Sequence, residues 1–370
     1  MTGTAATTAP RSAAALLLPL ALLAGSLLVT ACAPRVMNPG PAMQAPVMTD
    51  SHFRMADGAI LPLRQWAPAG RPKAVILALH GFNDYSNAFD KPARVLATRG
   101  YLTYAYDQRS FGDAPHRGIW PGTDGLVADL RTAAALVRKR HPDLPFMLLG
   151  ESMGGAVVMT ALARPNPPIA DKVVLVAPAV WSREIMPGWQ RTALELAAHS
   201  IPAMQFTGSG LGKVPSDNID MLRKLSRDKK VIKWTRVDAI YGLANLMDAA
   251  YAAAPALRGD VLILFGEKED ILPKTALGRF EMRLPAGDCG IRLVTYASGF
   301  HMLLRDLQSA TVLTDIAAWI DDTRTVFPSG REKALPAYAL AERPPEGKEG
   351  DGATAPHAVN CARGNTHARP

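Results

Sequence analysis

Residues 146–155 read Phe-Met-Leu-Leu-Gly-Glu-Ser-Met-Gly-Gly, an apolar run that ends in a glycine-flanked serine and passes straight into the apolar stretch 153–163. The pattern predicts a strand, a tight turn and a helix in immediate succession. On such a turn the serine hydroxyl is pushed out at the edge of a sheet, and the flanking glycines let strand and helix backbones approach closely. The positive end of the helix then points at the hydroxyl, which favours negative charge developing there. Glycine-x-serine-x-glycine alone is a weak signal, and the strand–turn–helix context makes it specific. Further apolar runs at 74–79, 102–106, 173–176, 261–265 and 292–296 show no regular apolar–polar alternation, as expected of strands covered on both faces. Helical stretches at 88–99, 125–140, 153–163, 275–282 and 302–322 lie between or after them. Strands alternating with helices predict a mainly parallel sheet wrapped by helices. The alternating segment 52–66, broken at Asp57-Gly58, predicts an antiparallel hairpin at its edge.

A serine hydroxyl is a poor nucleophile until a base stands within hydrogen-bond reach and a carboxylate orients that base. Both residue types follow predicted strands later in the chain. After 261–265 comes Gly266-Glu267-Lys268-Glu269-Asp270-Ile271-Leu272-Pro273, and after 292–296 comes Ala297-Ser298-Gly299-Phe300-His301-Met302-Leu303. His301 is the candidate base. His116 and His141 precede the serine, His199 falls in a long helical insertion, and His357 and His367 fall in the polar C-terminal tail. Asp270 is the preferred acid, with Glu267 and Glu269 close enough to compete. A tetrahedral intermediate also needs donors aimed at its oxyanion. His80-Gly81-Phe82-Asn83-Asp84-Tyr85-Ser86 follows the strand 74–79, so the backbone N–H groups of Phe82 and Met153 form the natural pair, with His80 a structural residue of the turn.

Taken together, HGFNDYS at 80–86, YDQRSFGDAPHRG at 106–118, GESMGG at 150–155, GEKEDILP at 266–273 and GFHMLL at 299–304 resemble the monoacylglycerol lipase and lysophospholipase branch of the α/β-hydrolases, the serine aminopeptidase-like (S33, Hydrolase_4-type) branch. The resemblance spans about residues 53–320. It implies Ser152 as nucleophile, Asp270 as acid, His301 as base, Phe82 and Met153 as oxyanion donors, and a lid over an acyl site. Relatives often carry glycine where Ser110 stands, and their 106–118 loop lines the entrance to the site, so substrate preference is the property this departure touches. The implied activity is hydrolysis of carboxylic esters, monoacylglycerol or lysophospholipid, through an acyl-serine. A peptidase or amidase, an acyltransferase, and a non-catalytic envelope binding protein on the same scaffold are the alternatives.

The rest of the chain frames that domain. Arg11 precedes an apolar run at 13–29 that ends Leu28-Val29-Thr30-Ala31-Cys32, the layout of a secretory signal closing on a cysteine. It resembles a bacterial lipobox, which implies lipidation of Cys32, a membrane partner through that lipid, and an outer-membrane location facing the periplasm. We therefore read 1–31 as a lipoprotein signal peptide, 32–50 as a flexible tether, 51–325 as the hydrolase domain with a helical lid at 180–257, and 326–370 as a disordered polar tail. The lid carries Leu243, Leu246 and Met247 among other apolar residues at helical spacing, which pack it down or line an acyl site. A net charge of +8 is spread along the chain except at 223–236, where RKLSRDKKVIKWTR gathers basic residues. That stretch reads as a solvated helix face, and no nucleic-acid partner is expected. No group of Cys or His has metal-ligand spacing, and the chemistry needs no metal or cofactor. Cys289 and Cys361 could pair in an exported protein, but the polar tail around Cys361 argues against it.

Overall fold

The segment Ala74–Leu79 is apolar throughout and buried at every position, so the strand it forms needs cover on both sides. The computed structural model, which describes residues 33–208, 210, 212–285 and 289–335, supplies it. In chain order the strands are β1 (Val47–Met48), β2 (His52–Arg54), β3 (Ile60–Trp66), β4 (Ala74–Leu79), β5 (Tyr101–Tyr106), β6 (Phe146–Glu151), β7 (Lys172–Val176), β8 (Gln205–Phe206), β9 (Thr235–Arg236), β10 (Val261–Gly266), β11 (Ile291–Tyr296) and β12 (Glu332–Lys333). The helices are α1 (Asp90–Thr98), α2 (Thr123–Arg140), α3 (Met153–Leu162), α4 (Gly188–Ser200), α5 (Ile219–Arg227), α6 (Val237–Ala253), α7 (Lys274–Glu281) and α8 (Ser309–Asp321).

Ten strands form one sheet in the order β1-β2-β3-β5-β4-β6-β7-β10-β11-β12. From β5 to β11 every pairing is parallel. The hairpin strands at one edge and β12 at the other pair antiparallel. Alternation of side chains across the pleat divides the core. Val75, Leu77 and Leu79 of β4 pack with Leu130 of α2, Val157 of α3 and Leu246 of α6. Ala74, Ile76 and Ala78 pack with Leu96 of α1 and Ile316 of α8. From β4 the chain moves outward to β5 and then returns to β6 on the other side of β4. Such a reversal opens a crevice at the carboxyl ends of the two central strands, where open sheets of this kind bind ligands.

Between β7 and β10 lie α4, the two-stranded β8–β9 ribbon, α5 and α6. Helix α6 lies so close to the body that a Cβ on Gly242 would sit 2.3 Å from the Trp120 indole.

Several expectations need correction. The stretch expected as a tether is held to the domain from Arg35 onward. Met37 N–H donates to Trp120 O at 2.8 Å, Gly40 N–H to Asp57 Oδ2 at 3.1 Å, and β1 pairs with β2. Its prolines and glycines remove regular structure without removing partners for its amides. The tail expected to be disordered from 326 buries Phe327 and adds β12 to the sheet edge, where Arg292 grips Glu332. The helix expected over 302–322 begins only at Ser309, because Leu307 N–H donates to Asp217 Oδ1 in place of a helical carbonyl and residues 302–308 form turns. Cys289 is disulfide-bonded. The signal segment, Cys32 and Cys361 lie outside the described residues.

Candidate active site

Ser152 joins β6 to α3 with φ 52° and ψ −114°. A non-glycine residue held there carries strain on the order of 1–3 kcal/mol. Three backbone hydrogen bonds fix it: Ser152 N–H donates to Val176 O at 2.9 Å, and its carbonyl accepts from Ala179 N–H at 3.0 Å and Ala156 N–H at 3.1 Å. The glycines around it are required by contact. A Cβ on Gly150 would lie 2.6 Å from the Gly155 amide, and one on Gly154 would lie 2.2 Å from Leu79 O.

Three side chains from three different loops meet at this point. Ser152 Oγ is 2.9 Å from His301 Nε2, and His301 Nδ1 is 2.7 Å from Glu269 Oε2. An ionised carboxylate only accepts, so Nδ1 carries the proton and Nε2 is left to accept the serine O–H. Burial of Glu269 disfavours its charge. The charge and hydrogen bond of His301 and the amides of Leu272 and Ile271 outweigh that and hold the carboxyl below its ordinary range. Burial also works against a charged His301, but Glu269 reverses the balance and the imidazole is raised above 6.5.

The acid expected from sequence was Asp270, and the structure corrects it to its neighbour. The turn after β10, closed by Glu269 N–H to Gly266 O, aims Glu269 at the imidazole. Asp270 faces the lid, with Oδ1 on Lys213 Nζ at 2.9 Å and Oδ2 on Val214 N–H at 3.0 Å. Its side chain is 39% exposed, against 1% for Glu269. Three acids stand within four positions here, and no sequence signal separated them. The choice is made by the turn's backbone direction.

The loop after β4 meets Ser152 from the other side. A Cβ on Gly81 would lie 3.3 Å from Ser152 Cβ, so the Phe82 amide follows directly beside the nucleophile. Met153 is the first residue of α3, whose opening amides have no helical partner. His80 is fully buried. Its Nε2 accepts the Gln108 N–H at 3.0 Å, so its Nδ1–H donates to Gly81 O at 2.8 Å. Burial lowers its pKa, and a neutral ring in this role is part of the scaffold.

Sequence reasoning missed a buried polar cluster beside the serine. Arg305 donates to Asp84 Oδ2 at 2.7 Å and to Glu151 Oε2 at 3.3 Å. Glu151 Oε1 has no hydrogen-bond partner among the described residues, and burial raises its carboxyl above the ordinary range. The one available signal was Glu151 itself, a charge between a strand and a nucleophile.

These groups line a cavity of about 560 Å³ whose remaining wall is mainly apolar, with Trp181, Met186, Leu194, Leu243 and Met247 from the lid and its flanks. A larger polar depression around Arg64 and Asp90, about 660 Å³, contains none of the three reacting side chains. The 107–118 loop lines neither. Arg109 is locked in a buried cluster with Asp57 and Asp129, and Ser110 takes φ 75°, the region that favours glycine. Here the loop braces the carboxyl end of β5.

A strap from the lid crosses the His301 loop. Met302 N–H donates to Pro215 O at 2.9 Å, Ser216 Oγ to Asp306 Oδ1 at 2.5 Å, and Asn218 Nδ2 to Arg305 O at 2.8 Å. Among the described residues no group of His, Cys, Asp and Glu has the arrangement of a metal site, and no helix is long and apolar enough to cross a membrane.

The chain is similar to known hydrolases over the same residues. The profile of the Hydrolase_4 family, described as serine aminopeptidase, S33, matches residues 70–308. Human monoglyceride lipase is 27% identical over 284 residues, covering 73% of this chain and 89% of that protein. Monoacylglycerol lipase of Mycolicibacterium smegmatis is 25% identical over 297 residues, covering 75% and 99%. Among solved structures, a soluble variant of monoglyceride lipase from Saccharomyces cerevisiae in complex with a substrate analog superposes with a TM-score of 0.62 at 19% identity, covering 78% of this chain and 99% of that one. The architecture is the α/β-hydrolase fold.

Proposed function

Because the chain belongs to the Hydrolase_4 family of serine hydrolases and is a carboxylic ester hydrolase, we propose that it cleaves single-chain acyl esters, monoacylglycerol first and lysophospholipid second, with Ser152 as nucleophile. The observation that carries this reading is the continuous hydrogen-bonded line from Ser152 Oγ through His301 to Glu269, with Ser152 and His301 in the wall of a mainly apolar chamber.

His301 Nε2 takes the Ser152 proton as Oγ attacks the ester carbonyl carbon. The carbonyl oxygen becomes an oxyanion held by the N–H groups of Phe82 and Met153. Collapse breaks the ester C–O bond, and the imidazolium returns its proton to the leaving alcohol. Water then attacks the acyl-serine with His301 again as base, releasing the acid and restoring the hydroxyl. Glu269 steadies the imidazolium in both halves.

Substrate class is supported by the cavity. A volume near 560 Å³ falls in the range of small-molecule sites, and its apolar lid wall suits one acyl chain. A peptidase or amidase would use the same three side chains and is the rival. Hydrolysis of monoacylglycerols, lysophosphatidylcholine, diacylglycerols and aminoacyl anilides by wild type and Ser152→Ala separates them. Monoacylglycerol turnover above the others, abolished in Ser152→Ala, is expected; faster cleavage of anilides overturns the reading.

Lipidation of Cys32, with attachment to the outer membrane, belongs to the same proposal and is supported by residues 28–32 of the sequence. Mass spectrometry of the mature N-terminus tests it: a diacylglyceryl cysteine is expected, and an unmodified terminus contradicts it.

A further inference from the structure

Half of the exposed large apolar residues, eight of sixteen, fall within residues 181–257, among them Trp189, Phe206 and Trp234, the exposed tryptophan and phenylalanine side chains of the described residues. Trp234 is 61% exposed and directly precedes β9; Phe206 is 50% exposed and pairs across the ribbon with Thr235. Next to them is a groove of about 400 Å³ lined by Arg117, Lys229, Lys233 and Arg236 with no acidic residue in its wall. Of these cations only Arg236 meets a carboxylate, that of Asp238. Arg117 donates to the backbone carbonyls of Lys229 and Val231, and Lys233 to those of Asp228 and Val231. Asp228, whose carboxylate attracts Lys233 from outside the groove, takes its hydrogen bonds from the Tyr85 hydroxyl and the Lys230 amide. Several N–H donors of Arg117, Lys229 and Lys233 thus remain for a ligand.

We propose that this groove is a second binding site, for the phosphate of an anionic lipid headgroup, and that Trp234 and Phe206 enter the acyl boundary beside it. Cations that converge on a groove with no acid in its wall favour a phosphate. Exposed aromatic rings at the rim are what a bilayer interface uses, and a soluble phosphate compound has no need of them. The N-terminal segment reaches the body on this side: Arg35 N–H donates to Asp238 Oδ2, the carboxylate that also holds Arg236. The site lies outside the catalytic cavity and does not depend on which ester is cleaved.

The test uses the full-length chain reconstituted in vesicles of phosphatidylglycerol or of phosphatidylcholine. The probe is acrylamide quenching of Trp234, read as the difference between wild type and Trp234→Phe. Shielding about tenfold stronger in phosphatidylglycerol, lost in Lys229→Gln/Lys233→Gln and in high salt, is expected from the summed attraction of several cations to an anionic surface. Hydrolysis of a short water-soluble ester by that double variant should equal wild type, which shows that it is folded. Equal shielding in both vesicles, or shielding that survives in the double variant, overturns the proposal. Equal protection by inorganic phosphate alone or by duplex DNA assigns the groove to a soluble anion or a nucleic acid and overturns it as well.

Discussion

Gly154 supports the nucleophile through what it lacks. Its missing Cβ leaves room for Leu79 O, the last carbonyl of β4, beside the first turn of α3. A methyl group there would overlap a backbone atom that no rotamer change can move. Gly154→Ala should therefore push α3 away from β4, cut esterase turnover at least a hundredfold, because misplacing a reacting group by about 1 Å costs that much, and lower the melting temperature. Unchanged turnover would show that the two elements are not in contact. The second prediction at this scale concerns pH. A general base must be neutral, and Glu269 raises His301 above 6.5, so kcat/KM should fall as pH drops through a value above the ordinary histidine range. Glu269→Gln removes the charge that raises it, and the acid limb should move to lower pH. A pH–rate profile on a soluble ester checks both the position of the limb and its shift. Ser152 and His301 were legible as reacting residues because each stands two positions after a glycine that follows an apolar run. Glu269 was not, since the course of the loop 267–273 is set by contacts with Leu272 and the lid that no local pattern encodes.

At the scale of elements, the lid is fastened to both halves of the site. Asn83, beside the oxyanion loop's Phe82, donates to Thr235 Oγ1 at 2.7 Å and accepts the Ile232 N–H at 2.9 Å. The strap at 213–218 holds the acid loop through Asp270 and the His301 loop through Asp306. The carboxylate that sequence reasoning placed in the reaction is thus a fastening for the lid. Asp306 is buried, which raises its carboxyl from 3.8 to about 6 despite the hydrogen bonds from Ser216 and Phe300. A raised acid takes up a proton in the folded state before it does so in the unfolded chain. Its contribution to stability is therefore full below the ordinary carboxylate range and is lost as pH rises through about 6. Asp306→Asn cannot ionise, so between pH 4 and pH 7 it should gain on wild type by up to about 3 kcal/mol, two units at 1.36 kcal/mol each. Urea midpoints across that range would read the gain, and parallel curves would contradict it. The strap also explains why a helix expected to start at Met302 starts at Ser309: Leu307 N–H, which in a helix would donate to Leu303 O, donates to Asp217 Oδ1, and Arg305 O accepts from Asn218.

For the whole molecule, the decisive feature is the order β5-β4-β6. It puts the oxyanion loop and the nucleophile turn on adjacent strand ends, while β10 and β11, two and three places beyond β6, carry the acid and base loops back to the same rim. The six parallel strands were legible because each is apolar and buried at nearly every position. The sheet edges were not. The segment 35–50 and the strand Glu332–Lys333 are held by backbone hydrogen bonds and ion pairs, and their polar, proline-containing sequences read as free chain. The account as a whole stands on one line of contacts running from Ser152 to Glu269 and excluding Asp270. Turnover of a soluble ester by Glu269→Gln and Asp270→Asn, measured side by side, tests that line most directly. Glu269→Gln should lose on the order of 10⁴ in kcat, as loss of the orienting carboxylate does in serine-protease triads, with Asp270→Asn staying within about a factor of ten. Loss of that size in Asp270→Asn, with Glu269→Gln near wild type, would contradict the assignment.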